Sequence, residues 1–220
     1  MMILNRFKAG SLRRRHALLV ASMGLAAIFT TAFLSPATAQ SVPEVKTMVT
    51  NFANQVLYIL ASDKPVVKQQ EQFGKIFLHN ADMAAISKFT LGKYAKRIQP
   101  SEAEALQELL GNYIIQLFVV KLRGTQSLGL EVVATTERKK DIDFLVKSVI
   151  NVRRIPGASK APIPVKWRIK RNKDSDLKLY DINIGGLWLA QEQRSSFVNF
   201  ISQNNGKIGA LLEYLKKKTE

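Results

Sequence analysis

No cysteine occurs in the 220 residues. That absence removes disulfides, a thiol nucleophile and every thiolate metal site together. Histidine is nearly as scarce: of two, only His79 lies beyond the first forty residues. A multi-histidine triad or zinc cluster is therefore excluded there, and no metal or cofactor is expected. The chain also lacks a glycine-rich phosphate cradle, a dinucleotide fingerprint and a serine elbow. Finally, the first 39 residues hold no acid, while Arg6, Lys8, Arg13, Arg14 and Arg15 crowd their start.

The acid-free opening continues as an uncharged run from Ala17 to Leu34, then Ser35-Pro36-Ala37-Thr38-Ala39. A positive segment, an apolar segment and a small-residue site in that order predict a signal peptide over residues 1–39, cut between Ala39 and Gln40. The apolar run is long enough to suggest a retained anchor as the alternative, but Pro36 and the small-residue site fit cleavage better. The triple arginine is compatible with twin-arginine export. Because no cofactor motif demands export in the folded state, the general secretory route is expected.

Residues 40–220 then form one expected domain of 181 residues, long enough for a real core without disulfides, in the periplasm. Five of the 33 basic residues and none of the 17 acids fall in the leader, so this domain carries 28 − 17 = +11. Such a charge attracts polyanions. Export and the lack of any helix-turn-helix, zinc-finger or aromatic RNA-binding signature exclude nucleic acid. Anionic lipid headgroups or the acidic faces of partner proteins remain.

The periodicity is helical at first. Val45, Met48, Phe52, Val56, Ile59 and Leu60 share a face. Asp63 and Pro65 open a second helix carrying Phe73, Ile76 and Phe77, and Asp82 is placed to cap a third from Met83 to Leu91. Ser101 and Glu104 after Pro100 read as a capping box for a fourth. Its apolar positions, Leu106, Leu109, Leu110, Tyr113, Leu117 and Val120, widened by Ile114 and Phe118, make a face broad enough to require a sheet as cover. Gly124 is its expected end.

The period then changes to two. Leu130, Val132 and Ala134 precede a charged turn at 137–141. The next face carries Ile142, Phe144, Val146, Ser148, Ile150 and Val152, and after a Pro-Gly loop come Val165, Trp167 and Ile169. Tyr180, Ile182 and Ile184 mark a last strand, and Gly185-Gly186 a tight turn into two closing helices. The expected class is α+β: N-terminal helices, one curved antiparallel four-stranded sheet, and C-terminal helices covering its apolar face.

Catalytic candidates are few. Asp82 and Asp181, with Tyr180, are the acids and phenol placed where a cavity can form, and an isomerase or hydrolase built on them is the alternative function. For Asp82 the helix cap is the favoured role, and for Asp181 an outward position or a backbone tie. His79, before a helix break, reads as a surface residue. What remains is a surplus of large apolar groups. Val132, Phe144, Val146, Val165, Trp167 and Ile169 on the sheet face Phe118 and Leu122 on the long helix, and a helix-covered sheet commonly encloses an apolar ligand. The opposite stripe, Lys166, Arg168 and Lys170, is expected to steer encounter with acidic partners or lipid surfaces.

One series of residues carries a family likeness: Phe73-Gly74-Lys75-Ile76-Phe77, Asp82, Ile86, Leu91-Gly92-Lys93-Tyr94, Tyr113, Trp167-Arg168, Asp181-Ile182, Gly186, Gln193-Arg194-Ser195-Ser196-Phe197, Gly206 and Leu211-Leu212. In this order they resemble the MlaC-type periplasmic phospholipid-binding proteins, also called the toluene-tolerance family. The chain departs from the pattern at Ala95-Lys96 and at Gly185-Gly186-Leu187-Trp188, which leaves a hopanoid-type lipid as an alternative ligand. The resemblance implies a shuttle that carries phospholipid; the eight apolar residues above are its expected lipid contacts, and a non-enzymatic monomer is expected. Its implied partners are an outer-membrane lipoprotein complex and an inner-membrane ABC transporter.

Overall fold

A computed structural model describes residues 41–122, 126–154 and 161–220, with the side chains of 121–122, 126–128 and 152–154 left aside. Among the described residues the order is α1 (Ser41–Leu60), α2 (Val66–Asn80), α3 (Met83–Thr90), a 3-10 turn (Gly92–Lys96) and α4 (Pro100–Leu122). Then come β1 (Gln126–Lys139), β2 (Asp143–Arg154), β3 (Ile163–Arg171), β4 (Leu177–Ile184), β5 (Leu187–Trp188), α5 (Leu189–Gln203) and α6 (Ile208–Thr219). The class is the expected α+β, with a fifth, two-residue strand added to one open antiparallel sheet ordered β1-β2-β3-β4-β5.

Local chemistry sets most boundaries. The Asp82 carboxylate accepts from the Ala85 N–H at 2.9 Å and caps α3 as expected. The cap at α4 forms two residues earlier than the sequence suggests. Pro100, whose missing N–H costs nothing at a first helical position, begins the helix. It is therefore Glu102 that reaches back, accepting from the Gln99 N–H at 3.0 Å. Gly124 lies outside the described residues. Asn172 turns β3 into β4 by accepting from the Asp174 and Asp176 N–H groups. Gly185 and Gly186, with φ of 61° and 93°, supply the left-handed pair that a two-residue hairpin needs. Ile142 falls in the β1–β2 turn and is exposed rather than on the apolar face of β2.

The sheet is irregular in two of its strand pairings. The β1–β2 pairing shifts register between Val132 and Ala134 and again between Glu137 and Lys139. On β4, Leu179 pairs with Ile169 while Asp181 pairs with Arg168, so Tyr180 is the extra residue of a bulge. Ile182 and Ile184 stay opposite Trp167 and Val165 as the alternation expects, but Tyr180 leaves the series and Leu179 replaces it.

The helices cover this sheet differently from expectation. α1 lies over β1 and β2, with Phe52 meeting the Trp167 indole edge-on at 5.9 Å. α5 runs beside β4, and α6 packs on α4. The long α4 does not rest on the sheet: its packing partners are α6, α2 and α3. A side chain at Gly74 would bring its Cβ to 3.1 Å from Ile115, so the missing Cβ lets α2 close on α4. A helix apolar on many sides fits a position surrounded by helices. The α2–α3 junction docks on the free edge of β4, where the Asp82 N–H donates to the Leu179 carbonyl at 3.0 Å.

Candidate functional site

Between the standing-off face of α4 and β4 lies a cavity of about 320 Å³. Leu110, Ile114, Leu117 and Phe118 of α4 form one wall, with Phe77 of α2 beside them. Leu179, Ile182 and Ile184 of β4 form the opposite wall, and Ile86 of α3 and Leu189 and Ala190 of α5 contribute to the lining. Phe118 is held in place by stacking on Phe73 at 4.9 Å between ring centroids. Apolar groups bordering an empty space, rather than each other, mark a site for an apolar guest.

The expected site residues divide. Phe118 lines the cavity. Phe144, Val146, Val165, Trp167 and Ile169 do not: all are at most 4% exposed and sit in the solid core. Trp167 is fixed there by its N–H, which donates to Ser148 Oγ at 2.8 Å, while the Ser148 hydroxyl donates to the Val165 carbonyl. Val132 is half-buried against the same core, and the Leu122 side chain lies outside the described residues. The physical reason is α1, which lies over β1 and β2 and sets Phe52 against Trp167 of β3, in the place that the sequence reading left for a ligand. The lining residues of α4 and β4 were visible in the sequence as apolar positions. The one sign of their role is that α4 carries more apolar surface than a single packed face needs.

Three polar groups of interest gather on the α3–β4–α5 side. Asp181 lines the cavity, and its Oδ1 accepts from the Ile182 and Ala190 N–H groups, both at 2.8 Å. This ties β4 to the start of α5, one of the two roles the sequence allows it. Burial pushes the Asp181 carboxyl above its ordinary range, against the opposing pull of those N–H groups and of Arg168. Tyr180 also lines the cavity, and burial raises its phenol. Asp82 is not in the lining and is engaged as the α3 cap. The basic stripe splits as well. Lys166 is exposed, whereas Arg168 and Lys170 are half-buried, and both lie against the Tyr180 ring. Arg168 pairs with Asp143 at 2.9 Å. Among the described residues no group of three or more His, Asp or Glu side chains is placed to hold a metal, and no helix is long and apolar enough to cross a membrane.

Comparison with known proteins agrees with this architecture. The family model described as MlaC protein matches residues 50–217. A solved structure of a phospholipid-binding protein from Ralstonia solanacearum, in complex with a phospholipid, shares the fold with a TM-score of 0.61 and 21% identity. The match covers 81% of this chain and 96% of that one. No curated protein matches at a significant level. The chain belongs to the MlaC family.

Proposed function

We propose that this MlaC-family chain is a periplasmic phospholipid carrier, exported by a leader over residues 1–39 that is cut after Ala39. The observation that carries the reading is the apolar cavity between α4 and β4. The Ralstonia relative was solved with a phospholipid, which supports the same ligand class here. The carrier acts without catalysis of its own: Asp82 and Asp181 are engaged with backbone N–H groups at helix starts.

Withdrawing a phospholipid from a bilayer exposes acyl chains at about 0.8 kcal/mol per CH₂, on the order of 20 kcal/mol for two chains. A carrier must replace nearly all of that burial, which approaches the ceiling of non-covalent affinity. At about 320 Å³ the cavity is at the small end of the range for ligand sites, roughly 300 to 1,000 Å³. Acyl chains therefore enter by parting α4 from β4, which border the cavity from opposite sides instead of packing together. Release follows when a partner favours the opened state. The partners in this reading are an outer-membrane lipoprotein complex and an inner-membrane ABC transporter, which also supplies the energy, since the sequence has no nucleotide-binding loop.

Organic-solvent extraction of the purified protein followed by mass spectrometry tests the proposal. Near-stoichiometric phospholipid is the expected result. A hopanoid would transfer the same mechanism to another lipid class, and an empty protein would overturn it.

A further inference from the structure

The cavity lining is not uniform. The α2–α4 wall is wholly apolar, but the α3–β4–α5 side presents Thr90, Tyr180, Asp181 and Gln193. Cations stand immediately behind that polar side. The Lys170 ammonium lies 3.6 Å from the centroid of the Tyr180 ring, and the Arg168 guanidinium 5.3 Å from the same ring. On the other flank Arg194 stacks at 4.9 Å on Phe89, whose ring is 5.8 Å from that of Tyr180.

Three carboxylates share this neighbourhood, and each is engaged through one oxygen, the Asp143 Oδ1 being buried without a partner. Asp143 pairs with Arg168, Asp82 caps α3, and Asp181 holds the start of α5. Arg194 spends one N–H on the Phe89 carbonyl. Lys170 is left over: among the described residues its ammonium meets the Tyr180 ring and no carboxylate or carbonyl. Burial, and then the nearby Arg168, push its pKa down against the opposing pull of Asp143 and Asp82. The Nε of Arg168 is also buried without a hydrogen-bond partner, as is the Oδ1 of its ion-pair partner Asp143. Lys170 thus stands, without a hydrogen-bond acceptor, against the ring of a residue that lines the cavity, and a ligand acceptor emerging past Tyr180 would meet it. An acyl lipid brings one strong anionic acceptor, its phosphate.

We propose that Lys170 and Arg168, with Arg194 on the opposite flank, hold the phosphate of the bound lipid's headgroup on the α3–β4–α5 side of the cavity. This rests on the reading of the cavity as the acyl-chain site. It assigns the ligand a direction, tails toward α4 and phosphate toward Tyr180. It also removes Arg168 and Lys170 from the encounter role that the sequence suggests, leaving that role to Lys166.

The test uses lipid-stripped protein and three probes: phosphatidylglycerol, diacylglycerol with the same acyl chains, and inorganic phosphate. Wild type is expected to bind phosphatidylglycerol about tenfold or more tightly than diacylglycerol, the scale of a charge-assisted hydrogen bond. Lys170→Met keeps the apolar stem on Tyr180 and loses the charge. It should abolish most of the preference and leave diacylglycerol binding unchanged, while Lys166→Met behaves as wild type. Circular dichroism verifies folding, and Arg194→Gln, expected to weaken the preference by a smaller factor, decides the matter if Lys170→Met fails to fold. Equal binding of the two lipids by wild type overturns the phosphate site but leaves the cavity reading intact. Binding of neither lipid sinks both. Saturable binding of inorganic phosphate without any discrimination between the lipids assigns the cations to free phosphate and overturns the headgroup proposal.

Discussion

Over β1 and β2 the sheet is met by α1, whose Phe52 reaches Trp167 of β3, and Phe144, Val146, Val165 and Ile169 are almost wholly enclosed. Over β4 the sheet is met by α5 and, at its edge, by the α2–α3 junction, and Ile182 and Ile184 still border a cavity whose far wall is α4. The two regions share one sheet and one kind of side chain. They differ in which helix is brought down and which is held away. α4 is engaged by α2, α3 and α6, so its surplus apolar face is left to a guest. A domain of this size can thus combine a close-packed half that stabilises the fold with a half whose contacts are completed by ligand.

The sharpest way to break the comparison is to place a carboxylate in each half. Val165→Asp or Val146→Asp buries an uncompensated charge in the close-packed half. Several kcal/mol is expected to be lost, comparable with the roughly 5–15 kcal/mol that holds a domain together. The measurement is thermal melting, and the expected outcome is loss of the cooperative transition. A normal melt would mean that the cavity extends beneath β2 and β3.

Leu117→Asp and Ile182→Asp put the same charge where water can enter the empty cavity. These variants should melt within a few degrees of the lipid-stripped wild type and carry no lipid on extraction, the stripped reference being needed because bound ligand raises the melting point. If they unfold as Val165→Asp does, the two halves are not physically distinct.

Ser148→Ala is a subtler probe of the close-packed half. It strands the Trp167 N–H, which now donates at 2.8 Å, at a cost of about 1–3 kcal/mol. Denaturant midpoints should fall while lipid content stays at the wild-type level; lost lipid would show that the two halves are coupled.

The smallest effect is expected at Asp181, on the cavity side. Its folded pKa is raised above the ordinary 3.8, so the ionised form detracts from stability at neutral pH. The stability this residue supplies grows as pH falls through the folded pKa and is complete below 3.8. Asp181→Asn retains an oxygen to accept from Ile182 and Ala190. It should stabilise the protein at pH 7 by less than about 1 kcal/mol, since the group is partly exposed and screened. It should also flatten the rise in melting temperature on mild acidification. A destabilised Asn variant at pH 7 would show that the charge itself, at the start of α5, is what holds the wall.

How far the sequence reveals this arrangement depends on the range of the interactions involved. Local chemistry was legible: Asp82 caps α3, Gly185-Gly186 turns the chain, and the helical faces of α1 and α2 fall where the spacing puts them. Competition between neighbouring local signals was less so, since Pro100 claims the first helical position and makes Glu102 rather than Glu104 the capping acid. The bulge at Tyr180 is set by pairing with β3, which no alternation within β4 discloses. Core and cavity were not separable at all from residue type. Val165 and Ile182 are both aliphatic strand residues, and only the distant choice of α1 over α4 as cover makes one a core residue and the other a wall.

The broken pairing of β1 bears on a hazard that any terminal strand of a sheet meets. β1 ends the sheet, and a long, regular terminal strand is a template on which other chains can add. Its pairing with β2 runs in register for only four residues, Gly129 to Val132, before it slips, and for four more, Ala134 to Glu137, before it slips again. Each slip twists the outer hydrogen-bonding groups away from those before it, and Glu131, Glu137, Arg138 and Lys139 set charge along the ribbon. A second molecule, or a stretch of amyloid-prone chain, finds no flat rail to zip against.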